Sequence, residues 1–87
     1  MTIVRLDVEW QTDRRAEVLD AMEQQPDVGA LRDEGGSLHV DLPGYGADAA
    51  RSRAIELLHL ATEASGVEPH AVRLLQDRTE GRGEQAL

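Results

Sequence analysis

The chain contains no cysteine and no phenylalanine. The first absence excludes a disulfide framework, a thiolate metal site and every cysteine nucleophile, and makes a reducing, cytoplasmic setting the simplest expectation. The second leaves Trp10 and Tyr45 as the only aromatic side chains, so any core must be assembled from Leu, Val, Ile and Ala. Such side chains suit a shallow sheet with two helices laid on it. Lysine and asparagine are missing as well, and all nine cations are arginine. That bias is expected of a high-GC genome and reflects ancestry rather than mechanism.

Long apolar runs are also lacking. Nothing approaches the roughly 18 residues needed to span a bilayer, and the opening stretch MTIVRLDVEW carries charges where a signal peptide needs an uninterrupted apolar region. Neither a membrane span nor an exported chain is expected.

What the chain has in excess is negative charge: 17 acidic residues against nine arginines, a formal net charge of −8. Phosphate-driven binding needs clustered cations, and these arginines are scattered, so general affinity for nucleic acid or anionic lipid is disfavoured. A basic or neutral protein partner is easier to accommodate. With 87 residues there is room for one domain, and a domain this short buries only about 60–65% of its unfolded-chain surface. Its stability margin is therefore thin.

Residues 2–10 alternate, with Val4, Leu6, Val8 and Trp10 on one side and Ile3, Arg5, Asp7 and Glu9 on the other. This period of two predicts a half-buried strand. Thr12 or Asp13 offers an N-cap to a short amphipathic helix built on Val18, Leu19 and Met22 and closed by Pro26. A weaker strand over Val28–Arg32, interrupted by Gly29, and a clearer one over Ser37–Leu42 flank the turn signal Asp33-Glu34-Gly35-Gly36. Pro43-Gly44-Tyr45-Gly46 ends the second of these. A longer helix is predicted from Asp48, as N-cap, to Ser65, with Gly66 as its stop and Ala50, Ala54, Leu57, Leu58, Ala61 and Ser65 as the stripe that lies on the sheet. Val72 and Leu74, alternating with Ala71, Arg73 and Leu75, predict a last strand. The domain is expected to occupy residues 1–77, with residues 78–87, poor in apolar side chains, as a disordered tail.

The element order β, α, β, β, α, β resembles the ferredoxin-like superfold over about residues 2–76. The resemblance implies an α+β fold with a four-stranded antiparallel sheet, strand order 4-1-3-2, and both helices on one face. That superfold includes the amino-acid-binding ACT domains, but a fold so widely shared does not assign a function.

With the helices on one face, the other should carry Arg5, Asp7, His39, Asp41 and Arg73. His39, Asp41 and Asp7 have the side chains a metal site or a proton relay would use. They also suit a charged face that merely meets water, and no further ligand stands at a recognisable spacing. No catalytic residue, metal ligand or cofactor is assigned. The Gly44-Tyr45-Gly46 loop before a helix only faintly resembles an anion cradle, so Tyr45 is either a lid over a small molecule or a cover for one end of the core. Trp10, in core phase, should bury its ring and pass its N–H to a loop carbonyl, or else anchor a partner. Ile3, Ala71, Leu75 and Leu60 are apolar residues that one copy of the chain does not obviously bury.

The expectation that follows is a non-enzymatic interaction module, a homodimer or a binder of another protein, that uses the open sheet face or an edge strand. An ACT-like domain holding a small molecule near residues 7–13 or 44–48, and a small dimeric enzyme using His39 or Asp41 as proton carrier, are the alternatives.

Overall fold

The computed structural model describes residues 2–34 and 36–81. The elements are β1 (Thr2–Trp10), α1 (Arg15–Glu23), β2 (Ala30–Glu34), β3 (Ser37–Asp41), α2 (Ala47–Ala64), a 3-10 turn over Pro69–Ala71, and β4 (Val72–Gly81). The strands form one sheet in the order β2-β3-β1-β4, with every neighbouring pair antiparallel. Both helices pack on one face, which makes this a ferredoxin-like βαββαβ fold.

The strict alternation of β1 explains its central place. Val4, Leu6 and Val8 are buried beneath the helices, beside Leu38 and Val40 of β3, while the residues between them stay partly open. α1 contributes Val18 and Met22, and α2 contributes Ala50, Ala54, Leu57, Leu58 and Ala61. Each large aliphatic side chain buried in this way contributes about 1.5–3 kcal/mol. The alanines of α2 let its backbone lie close to the strands, whose buried side chains beneath it are aliphatic.

The helix ends depart from expectation. α1 starts after Arg14 and α2 after Gly46, neither with a side-chain cap. Thr12 instead accepts the Arg14 backbone N–H at 3.1 Å, forming a turn ahead of the helix, and Asp48 lies within the first turn of α2 rather than at its cap. The C-terminal stop of α2 is as predicted. Gly66 takes φ 72°, its N–H bonds to Glu63 O, and Val67 N–H bonds to Thr62 O. That pair of bonds is a Schellman motif, and the Val67 side chain is buried beside it.

β2 begins at Ala30, two residues later than predicted. Val28 spends its N–H on Gln25 O in a turn, and Gly29 N–H reaches Asp41 O at 2.8 Å. Gly29 is needed there for want of space, since a Cβ would stand 3.0 Å from Pro43 Cδ and 3.1 Å from Asp41 Oδ2. β4 also differs. Ala71 belongs to the 3-10 turn and packs against the core rather than facing outward from the strand. The strand itself runs on to Gly81, past the boundary expected at residue 77. Residues 82–87 of the expected tail lie outside the described residues.

Between Asp7 and Val8 the β1–β4 register shifts: Val8 faces Leu74 and Asp7 faces Gln76, leaving Leu75 as an extra residue. This β-bulge reverses the phase of everything after it. Leu75 is 58% exposed. Gln76 and Arg78 share the open face with Asp7 and Arg5, whereas Asp77 turns to the helix side and pairs with Arg51 of α2. At the opposite edge Asp33 of β2 pairs with Arg15 of α1. Each edge strand is thus latched to a helix by one carboxylate and one arginine.

Candidate functional site

The uncovered face of the sheet gathers five of the residues singled out in the sequence: Arg5, Asp7, His39, Asp41 and Arg73. Directly opposed residues share a face, so the strand register places the rest. Arg32, His39, Arg5 and Arg78 line up across β2, β3, β1 and β4. The next row toward the hairpin is Glu34, Ser37, Asp7 and Gln76. A basic row therefore lies directly beside a polar and acidic one.

Placing Arg5 opposite Arg78 is unfavourable on its own, because like charges across a strand pair repel. The adjacent row offsets it. Arg5 Nε donates to Asp7 Oδ1 at 3.1 Å, and Ser37 Oγ donates to the same oxygen at 2.6 Å. These two bonds, the Ser37 one contributing most, hold the Asp7 carboxyl below its ordinary range, and the charges of Arg5 and Arg78 act in the same direction. Arg32 pairs with Glu34 at 3.0 Å, and His39 Nε2 stands 4.0 Å from Glu34 Oε1. Farther along β1, Glu9 Oε1 accepts from Arg73 Nη1 at 3.1 Å.

A shallow hollow of about 250 Å³ opens on this face between Ile3, Ala30, Arg32, His39 and Asp41. Asp41 Oδ1 is buried there without a hydrogen-bond partner. Among the described residues, no three His, Asp or Glu side chains converge to hold a metal ion. None of the described helices is long and apolar enough to cross a membrane.

Trp10 and Tyr45 lie elsewhere. Trp10 packs against the core at the end of β1 with the Arg15 guanidinium 5.7 Å above its ring. The indole N–H was expected to reach a loop carbonyl; it is buried and has no partner. The nearby loop amide of Gln11 takes the Ala71 carbonyl at 2.7 Å. Tyr45 also rests on the core, and its hydroxyl donates to Asp27 Oδ2 at 2.7 Å. Arg53 of α2 donates Nε to the same oxygen at 2.7 Å and Nη2 to Oδ1 at 3.4 Å. The Arg53 bonds first, then the Tyr45 bond, lower the Asp27 pKa to about 2, while the same contacts raise those of Arg53 and Tyr45. The trio ties the loops before β2 and α2 to the helix. Beside it the outer surface of α2 forms an open groove of about 650 Å³ along Tyr45, Ile55, His59 and Leu60, where Leu60 is 45% exposed.

Arg32, Glu34, Ser37, Gln76 and Arg78 also lie on the face but were not singled out in the sequence. Two residues separate β2 from β3, and a hairpin that tight pairs Arg32 with His39 and Glu34 with Ser37. That spacing was the available signal. For Arg78 there was none, because its side depends on the bulge at Leu75. The chain matches no protein-family model and no curated protein sequence.

Proposed function

We propose that the protein is a non-enzymatic interaction module that associates with a second copy of itself through the open face of its sheet. The supporting observation is the distribution of charge. By register the open face carries Arg5, Arg32, Arg73 and Arg78 against Asp7, Glu9, Glu34, Asp41 and Glu80, four basic positions against five acidic. Taking these from nine arginines and 17 acidic residues leaves five against twelve, so the remaining sequence carries all but one unit of the formal charge of −8. Long-range repulsion between two copies is least when they meet through this nearly balanced face.

The edges are poorer candidates. β2 is five residues long with exposed Arg32 and Glu34, and β4 carries the bulge at Leu75; short length, charge and bulges all discourage strand addition. The hollow beside Asp41 also falls short of the roughly 300–1,000 Å³ usual for a small-molecule pocket.

The four strands, of nine, five, five and ten residues, at about 3.3 Å per residue and about 4.8 Å apart, span a face of roughly 450 Å² in projection. This lies toward the low end for specific interfaces, so micromolar rather than nanomolar association is expected. Sedimentation velocity across the micromolar range tests the reading. A concentration-dependent shift from monomer to dimer supports it, and a strict monomer at several hundred micromolar (~0.5 mM, a standard free energy of about −4.5 kcal/mol) overturns it.

A further inference from the structure

The geometry points to a particular pairing of the two copies: a two-fold axis lying between the sheets, parallel to the rows, sets the basic row of each chain over the acidic row of the other. This rests on the self-association reading above and adds the register. Rotation about such an axis exchanges the two rows and keeps each strand over its own counterpart. Arg32 then stands over the partner's Glu34, Arg5 over the partner's Asp7, and His39 over the partner's Ser37. Every contact occurs twice, as the symmetry of an isologous interface requires.

The rows suit this arrangement for a physical reason. Within one chain Arg5 bonds Asp7 and Arg32 pairs with Glu34 along the same strand. Each arginine retains donors beyond the one so engaged, and each carboxylate can accept more than one bond. Bringing up a second face extends these two pairs into four-membered alternating clusters, while Arg78 comes to stand over the partner's Gln76. The axis also keeps the strands of the two sheets close to aligned, which is the commoner way for sheet faces to pack. The alternative of basic row over basic row would stack Arg5 and Arg32 on their own copies.

Arg32 and Glu34 provide the test, because their side chains are 65% and 57% exposed and lie on an edge strand, outside the core. In Arg32→Glu both positions of a chain become acidic; in Glu34→Arg both become basic. Each variant alone should self-associate at least ~10-fold more weakly than the unaltered protein, and an equimolar mixture should recover affinity to within roughly threefold. Glu63→Arg on the outer side of α2 alters the net charge by as much as Glu34→Arg does and should change the affinity by no more than roughly threefold, whereas raising the ionic strength should weaken the unaltered pair.

Sedimentation velocity reads all five samples, and melting curves verify that each variant is folded. If the unaltered protein dimerises but the single variants do so equally well, the row pairing is wrong while self-association stands. Single variants that weaken without recovery in the mixture leave the face in place and overturn the two-fold register. A monomeric unaltered protein overturns the reading beneath both.

Discussion

Asp77 of β4 reaches Arg51 of α2 only because Leu75 is one residue more than the ladder with β1 requires. Were Leu75 paired within the ladder rather than bulged out of it, the alternation from Leu74 onward would turn Asp77 and Thr79 to the open face and Gln76 and Arg78 toward the helices. Thr79, in its observed phase, directs its hydroxyl at the Ala47 carbonyl at 3.4 Å. The bulge thus converts a polar stretch with no apolar alternation into a strand whose two sides each have partners.

Deletion of Leu75 should accordingly be tolerated. Gln76 would still face Asp7, and Asp77 would still face Leu6 and Arg51, so stability should change by no more than about 1 kcal/mol. Deleting His39 from β3, where the ladder has no spare residue, slips either Leu38 or Val40 onto the wrong face and should cost several kcal/mol, on the scale of ~2–5 for losing a large core side chain. Urea unfolding of the two deletions decides the matter, and equal losses would contradict the assignment of the bulge.

The Asp27 clamp sets a pH dependence. The carboxyl titrates at about 2 in the folded chain against an ordinary value of 3.8, so between these values the unfolded chain binds more protons. The contribution of the clamp to stability is complete above about pH 4 and is lost as pH falls through about 2. Asp27→Asn should lower stability by about 1–2 kcal/mol at pH 7, and the gap from the unaltered protein should close over that acidic interval. A gap that stays constant with pH would rule out Asp27 as its source.

These two cases show what could and could not be read from the sequence. β1 and β3 were legible because Val4, Leu6 and Val8, and Leu38 and Val40, alternate strictly with polar residues, and that alone puts Arg5, Asp7, His39 and Asp41 on one face. The far half of β4 was illegible because its fit depends on Asp77 meeting Arg51 and Thr79 meeting a backbone carbonyl, contacts that carry no apolar periodicity. The caps were misread for a related reason. Arg14 and Gly46 start their helices through backbone conformation, so the capping side chains nearby drew attention to the wrong positions.

Close packing at Gly29 predicts a coupled pair of substitutions. Gly29→Ala presses a methyl group against Pro43 and Asp41 and should cost about 1–3 kcal/mol as overpacking. Repeating it in a Pro43→Ala background removes the nearest obstacle and should reduce the penalty by about 0.5 kcal/mol or more. Strict additivity in the double-mutant cycle would show that Pro43 is not what confines Gly29.

Trp10, as the sole tryptophan, reports on its own cover. Arg15→Ala removes both the guanidinium above the ring and the latch to Asp33, which should shift the emission to longer wavelength and cost about 0.5–2 kcal/mol. Asp33→Asn leaves the guanidinium in place and should shift the emission less. Identical spectra for all three proteins would mean that Arg15 does not shield the indole.

The pairing of β1 with β4 also bears on how the chain acquires its structure. Thr2 lies opposite Gly81 and Trp10 opposite Val72, so of the strands in this sheet the first to be synthesised has to wait for the last before one of its edges is satisfied. Until then β1 can pair only with β3, giving a three-stranded intermediate with an open edge where β4 will lie. Such distant contacts slow folding, because loop-closure entropy must be overcome before they form. The period during translation when that edge is bare is when the nascent chain is most open to a chaperone or to pairing with a neighbour.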